Sequence, residues 1–319
     1  MRGTSAEALR ELSRARNVVL TTHINPDGDA LGSMLALYMF LRQRGTRVQM
    51  WLDDDLPGMY AFLPELDKIV RPPAACVQGE LIVVLDASDP GRTGGAWTHF
   101  RGRSLNIDHH LSNSDFADIT VIDETIAATG ILILRLIEEA GGRIDKEMAS
   151  CLYTAIATDC GFFRYANTDA QTLHAAARLV TYGAEPHTIS EQIQTTPLSK
   201  ITALSRVLDT LEVTDCGKVA AITVPPGISS ADVEDTEGFI DYPRNIAGVE
   251  VAIMFKPSAE KETVKISFRS RRLNVSELAQ SLGGGGHARA AGCTLKGTIT
   301  DVKPRVLSRV LDALRENGL

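Results

Sequence analysis

The stretch "NVVLTTHINPDGDALGSMLALYMFLRQRG" covers residues 17–45, and its reading sets the fold. The first seven residues form a β-branched, apolar run that ends at His23, as a buried strand does. Residues 30–45 repeat apolar side chains at helical spacing and stop at Gly45. A short polar loop carrying Asp27 and Asp29 joins the two. The texture then recurs. "RVQMWLD" (47–53), "LIVVLDAS" (81–88) and "SLNIDHH" (104–110) read as further strands, with helices predicted over 130–142, 146–161 and 172–186. Val/Ile/Leu strands alternating with helices predict an α/β domain whose parallel sheet carries helices on both faces.

At 319 residues the chain is long for one core, so two compact units are expected. The polar segment "EQIQTTPLSK" (191–200) reads as a linker between a domain over 1–190 and another over 201–319. Strands at 218–224, 249–255 and 263–269, with helices near 199–212, 275–282 and 302–316, describe a smaller α+β domain.

Composition removes several function classes. With 44% hydrophobic and 23% charged residues, the chain has the balance of a soluble globular protein. Its longest apolar run, "MLALYMFL" (34–41), is far short of the roughly 20 residues of a membrane span. The first 17 residues mix both charge signs without an apolar stretch, so no secretory signal is expected. Five scattered cysteines without CxxC spacing predict reduced thiols and a cytoplasmic location. A net charge of −7 argues against coating long nucleic acid, which draws on many Lys and Arg contacts to phosphate. A small anion met by a local basic patch is compatible with it, as is a homodimer.

The chemistry gathers at strand ends, where open α/β sheets bind ligands. His23, Asp27 and Asp29 follow the first strand, Asp86 ends "LIVVLD", and Asp108, His109 and His110 end "LNIDHH". Asp159 closes a helix in "ATDCGFF". Singly, each has a plain reading: Asp29 as the cap of the following helix, Asp86 as a turn residue, Asp159 as a solvated carboxylate. Together, carboxylates on one sheet edge repel one another unless a cation neutralises them. Four carboxylates and two imidazoles suit Mn²⁺ or Mg²⁺ better than zinc, and six ligands suit two ions sharing a bridging carboxylate. Such pairs serve phosphoester hydrolysis.

"HINPDGDALGS", "VLDASD", "NIDHH" and "ATDCG" resemble, in order and spacing, the four motifs of the DHH phosphoesterase superfamily over residues 17–161. The resemblance implies that His23 and Asp27 hold one ion and that Asp29, His109 and Asp159 hold the other, with Asp86 between them. It implies that Asp108 orients a histidine by hydrogen bond, and that His110 stabilises charge or protonates the leaving group near the phosphate.

In the second domain, "SLGGGGHARAAG" (281–292) follows a helical "VSELAQSL". One glycine suffices to stop a helix. Four followed by His287 predict a backbone that approaches an anion closely, through Gly284, Gly285 and Gly286. Upstream, "ISFRSRR" (266–272) offers Arg269 as a planar grip for a terminal phosphate, while Arg271 and Arg272 read as solvated. This part is similar to the DHHA1 domain, with its GGGH loop and preceding Arg-Ser pair. The pairing resembles the bifunctional oligoribonuclease and pAp phosphatase family. It implies a site in the cleft between domains and two Mn²⁺. It also implies cleavage of very short RNAs to 5′-mononucleotides and removal of the 3′-phosphate of pAp. Phe162, Phe163 and Tyr165, beside Asp159, could stack on bases but read rather as core. A type II pyrophosphatase would lack the glycine run, and a single-strand exonuclease would carry further domains. A phosphodiesterase for cyclic or linear dinucleotides would share these motifs, and a non-catalytic nucleotide sensor would have lost a ligand.

Overall fold

The computed structural model describes residues 2–226, 228, 236, 238–258 and 262–319; the His287 side chain lies outside that description. The chain divides into two compact units, Met1–Thr195 and Thr196–Leu319.

The first unit runs α1 (Ser5–Arg14), β1 (Asn17–Thr21), α2 (Gly28–Gln43), β2 (Arg47–Trp51), β3 (Ile69–Val70) and β4 (Val77–Leu85). It continues with α3 (Gly95–Thr98), β5 (Phe100–Asp108), β6 (Ile119–Ile122), α4 (Thr129–Glu139), α5 (Lys146–Asp159), α6 (Ala170–Thr181) and α7 (Pro186–Gln194). All six strands are parallel, in the order β3-β2-β1-β4-β5-β6. The order reverses between β1 and β4, which opens a crevice at their carboxyl ends. Side-chain alternation sends Val18, Leu20, Val83, Leu85, Leu105 and Ile107 into the large core with α2, α4 and α5. Val19, Ile82 and Val84 face the other way, onto a small cluster with Trp51, Phe100 and Ala96 of α3.

Two glycines fix how closely the helices approach. A Cβ on Gly32 would enter the Cys151 carbonyl, and one on Gly28 would lie 2.7 Å from Thr158 Cγ2. Being four residues apart, they line one stripe of α2. The end of α5, with Asp159, is thereby drawn to the start of α2.

The second unit runs α8 (Leu198–Leu208), β7 (Glu212–Val213), β8 (Val219–Thr223), α9 (Asp241–Arg244), β9 (Val251–Pro257) and β10 (Thr263–Ser270). Then come α10 (Val275–Ser281), β11 (Gly285–His287), β12 (Ala290–Lys296) and α11 (Ile299–Glu316). Its sheet order is β11-β12-β10-β9-β8-β7, antiparallel except for the β8–β9 pair. Phe255 and Phe268 face α10 and α11, while Ile222 and Met254 face Leu204 and Val207 of α8.

Segment 191–200 differs from the expected polar linker. Glu191–Gln194 are the last turn of α7 and α8 begins at Leu198, so only residues 195–197 lie outside a helix. Ile189 and Ile193 bury one side of α7, which is enough to hold a largely polar helix down. No helix among the described residues is long and apolar enough to cross a membrane.

Candidate metal centre and phosphate loop

Three neighbouring strands, β1, β4 and β5, deliver His23, Asp86 and Asp108 to one edge, where strands stand about 5 Å apart. Asp86 sits just past β4 with φ 54°, the left-handed region that costs a non-glycine residue roughly 1–3 kcal/mol. Its N–H donates to the Ile107 carbonyl at 3.0 Å, which holds that turn.

The cap of α2 is Asp27, whose Oδ1 accepts from Asp29 N–H and Ala30 N–H, both at 3.0 Å. The plain reading of Asp29 as that cap is therefore corrected, because the helix starts two residues earlier, at Gly28. Asp29 is buried and serves another helix. It accepts Thr129 N–H at 2.6 Å, Gly130 N–H at 2.8 Å and the Ser33 hydroxyl at 3.1 Å. The positive end of α4 thus points at a buried carboxylate. The Thr129 hydroxyl also donates to Asp86 Oδ1 at 3.0 Å, so one residue steadies two of the clustered carboxylates.

The six residues converge as two overlapping groups. His23 Nε2 lies 3.8 Å from Asp27 Oδ1 and 3.6 Å from Asp86 Oδ2. His109 Nε2 lies 3.8 Å from Asp29 Oδ2, 3.5 Å from Asp159 Oδ2 and 3.6 Å from Asp86 Oδ1. Asp86 faces both groups, one oxygen to each. These separations are too long for hydrogen bonds. They fall between the distances of about 3.0 and 4.2 Å that cis and trans ligands take around an octahedral ion with bonds near 2.1 Å. Donor atoms lie within 4.8 Å of one another in each of three sets: His23, Asp27 and Asp86; Asp29, His109 and Asp159; and Asp86, His109 and His110. His23 Nδ1 lies 2.8 Å from the Ile24 carbonyl and His109 Nδ1 lies 3.3 Å from that of Ile126, leaving both Nε2 atoms turned to the carboxylates. Mixed oxygen and imidazole donors fit a hard divalent cation.

Electrostatics points the same way. Burial, then the charges of Asp86, Asp159 and Asp27, raise the Asp29 carboxyl well above its ordinary range. Burial and the charges of Asp86 and Asp27, opposed by the pull of His109, push Asp159 up to about 7. Burial alone would lower His23, but the pull of the nearby Asp27 and Asp86 carboxylates outweighs that and pushes it up to about 10. Asp29 and Asp159 are crowded enough to hold a proton more tightly than a free carboxyl does, and a divalent cation answers that demand.

Asp108 and His110 stand beside these groups. His110 Nδ1 lies 2.6 Å from Asp108 Oδ1, which raises the imidazole pKa. Burial would raise Asp108, but His110 and Asn113 hold it below the usual carboxylate range. Asn113 Nδ2 donates to Asp108 Oδ2 at 2.6 Å and to Asn106 Oδ1 at 2.7 Å, and Asn106 donates to the Val84 and Ala87 carbonyls. Asn106, Asn113, Ser33 and Thr129 escape the sequence reading; Asn113, three residues past His110, is the nearest thing to a signal. Phe162 and Phe163 pack half-buried against the core, whereas Tyr165 is 55% exposed, which corrects its reading as core.

In the second unit the glycine run does several jobs. Gly283 N–H donates to Gln280 O at 3.0 Å and Gly284 N–H to Ala279 O at 2.8 Å, with Gly283 at φ 78°: the paired bonds that close a helix. The helix-stop reading therefore holds for the first two glycines. Gly284 also lies so close to β12 that a Cβ would strike the Gly292 carbonyl. Gly286 has φ 141°, and a Cβ there would lie 2.6 Å from the Ala290 carbonyl. Gly285 differs: it lacks the left-handed backbone, and among the described residues a Cβ would meet nothing within 4 Å. Arg269 pairs across the sheet with Ala290, three residues past His287. Its Nη1 donates to the Phe268 carbonyl at 3.1 Å, and it makes no ion pair among the described residues. Arg272 is exposed, as its reading as solvated expects, and its Nε–H also bonds the buried Glu250.

Residues 17–156 match the DHH family, N-terminal domain, and residues 217–316 match the DHHA1 domain. Over 300 residues the chain is 35% identical to the bifunctional oligoribonuclease and PAP phosphatase NrnA of Thermus thermophilus, covering 94% of this chain and 89% of that one. It is 23% identical to the Bacillus subtilis protein of the same name, over 91% of this chain and 92% of the relative. A solved exopolyphosphatase-related protein from Bacteroides fragilis aligns with a TM-score of 0.87 at 26% identity, covering 98% of this chain and 95% of that one.

Proposed function

This chain belongs to the DHH family, with a DHHA1 domain behind its catalytic domain, and from that premise we propose that it is a cytoplasmic oligoribonuclease and pAp phosphatase. It hydrolyses very short RNAs to 5′-mononucleotides and removes the 3′-phosphate of pAp. The observation that carries this reading is the position of Asp86, one oxygen toward His23 and the other toward His109. His23 and Asp27 would hold one Mn²⁺, Asp29, His109 and Asp159 would hold a second, and Asp86 would be common to both. Such cations would supply Lewis acidity toward a phosphoester.

The remaining groups act through protons and fixed charge. Asp108 keeps His110 in one orientation and favours its protonated form, so His110 is suited to give a proton to the departing oxygen. In the second unit Arg269, Gly285, Gly286 and His287 take the phosphate that is not cleaved, while the Gly284 N–H stays with the Ala279 carbonyl and fixes the start of the loop. Gly285 supports this, since nothing among the described residues requires a glycine there and a ligand in close approach does.

The test is a turnover panel of pAp, linear dinucleotides, short RNAs and cyclic di-AMP after chelation and add-back of single metals. Expected is restoration by Mn²⁺, with pAp and short RNA both consumed. Turnover of cyclic di-AMP without pAp hydrolysis would make the protein a dinucleotide phosphodiesterase. Binding without turnover would make it a sensor, and restoration by zinc alone would overturn the metal.

A further inference from the structure

We propose that Glu250 is a positioning residue for phosphate binding, acting through the turn that joins β10 to α10. Glu250 precedes β9 and is 4% exposed. Its Oε1 accepts Arg272 N–H at 2.5 Å and Leu273 N–H at 2.9 Å, and its Oε2 accepts Arg272 Nε–H at 3.1 Å. Burial would raise this carboxyl, yet the donors hold it below the usual range. Burying a charge is costly unless several donors meet it, and here they all come from one turn.

That turn is the bed of the glycine hairpin. Ser270 N–H donates to the Arg289 carbonyl at 3.1 Å, and Val275 N–H to that of Ala288 at 2.9 Å. The Ser276 hydroxyl donates to the Gly286 carbonyl at 2.7 Å, and the Arg289 guanidinium donates to the Arg272 carbonyl. Four bonds thus tie residues 270–276 to Gly286–Arg289, while the Ser270 hydroxyl closes the turn on the Leu273 carbonyl at 2.6 Å. Arg269 immediately precedes this segment and Gly285 immediately precedes the stitched part of the hairpin. Both candidate phosphate contacts therefore take their placement from a turn shaped by one buried carboxylate. Without Glu250, two N–H groups beneath the hairpin lose their acceptor and Arg272 loses its anchor.

The inference rests on the reading that Arg269 and the hairpin hold a phosphate, and the experiment separates the two. Steady-state kinetics of Glu250→Ala, Glu250→Gln and Arg269→Ala are measured on pAp and on bis(p-nitrophenyl) phosphate, which has no second phosphate. Glu250→Ala is expected to raise KM for pAp about tenfold, with kcat within about twofold and the reporter unaffected. Glu250→Gln keeps an oxygen for both N–H groups and is expected to stay within about threefold of wild type. An unchanged KM in Glu250→Ala, or an equal fall in kcat on both substrates, overturns the proposal. If Arg269→Ala raises KM and Glu250→Ala does not, the role of Glu250 fails alone. If neither does, the phosphate reading of the hairpin fails with it. Should Glu250→Ala not fold, Ser276→Ala removes only the hydroxyl bond to Gly286. A raised KM there supports the proposal and an unchanged one overturns it.

Discussion

In the first unit the reactive groups are side chains, several of them buried: Asp29, Asp86 and Asp108 are at most 2% exposed, and His23 is 4% exposed. Like charges stand within a few ångströms, steadied by the start of α4. In the second unit the surface assigned to phosphate is mostly backbone, a glycine hairpin beside an arginine with no ion pair among the described residues. One region concentrates negative charge and calls for cations; the other is proposed to offer amides and a guanidinium to an anion. The difference teaches where substitutions should act. Side-chain changes in the first region should remove chemistry and spare the fold. Changes in the second should harm either the fold or binding, depending on the job of each glycine.

The largest effect is expected at Asp86. Asparagine keeps the shape and tolerates the left-handed backbone, but cannot offer a charged oxygen to both groups. Asp86→Asn should reduce kcat at least about 10³-fold on every substrate, roughly 4 kcal/mol of barrier, while circular dichroism and thermal melting stay near wild type. Substantial activity, or an effect confined to pAp, would break the comparison at its first term.

Next is Gly286, which needs both its backbone angle and its missing Cβ. Gly286→Ala should destabilise the second unit by roughly 2–3 kcal/mol, read by urea unfolding of the full chain. A stable variant that merely binds pAp more weakly would move Gly286 from the structural group of glycines to the ligand-facing one.

The sheet and its acidic rim were legible because each strand is a short apolar run that ends at its own carboxylate or histidine. Three such ends on one parallel sheet can meet only at one edge. Illegible were features that depend on which helix meets which. Asp27, not Asp29, caps α2 because the helix starts two residues earlier than its apolar pattern. Thr129 gains its importance only when α4 is aimed at Asp29, a contact 100 residues apart in sequence. The glycine run reads as one signal, yet it closes a helix, enters a strand and packs on β12. The strand "AAGCTLK" was missed because alanine and glycine are poor strand formers, and pairing with β10 supplies what propensity does not. Tyr165 was misplaced because an aromatic beside a buried helix reads as core.

Thr129 sharpens the account of the first region. Its hydroxyl holds Asp86 Oδ1, and a partner of that kind typically sets metal affinity by 10- to 100-fold. Thr129→Val keeps the volume and the N–H to Asp29 but loses the hydroxyl. Mn²⁺ affinity, measured by titration calorimetry, should fall about tenfold, and Thr129→Ser should recover most of it. Equal affinity in the valine variant would mean that α4 steadies the cluster through its backbone alone.

The smallest expected effect is the most discriminating for the second region. Gly285 is free of the demands that bind its neighbours: its backbone is not left-handed, and a methyl group would touch no atom of the described residues within 4 Å. Alanine there should be neutral or slightly stabilising, because it restricts the unfolded chain by a few tenths of a kcal/mol to about 1 kcal/mol. If the amide of Gly285 faces a phosphate at close range, the same methyl group stands in the ligand's path. Gly285→Ala should then raise KM for pAp roughly three- to tenfold with kcat unchanged, and leave bis(p-nitrophenyl) phosphate untouched. Gly286→Ala and Gly285→Ala, adjacent and chemically identical, are thus expected to fail in opposite ways, one in unfolding and the other in binding. Wild-type kinetics in Gly285→Ala would mean that the phosphate does not approach this part of the hairpin, and would leave Arg269 to hold it without the glycine amides.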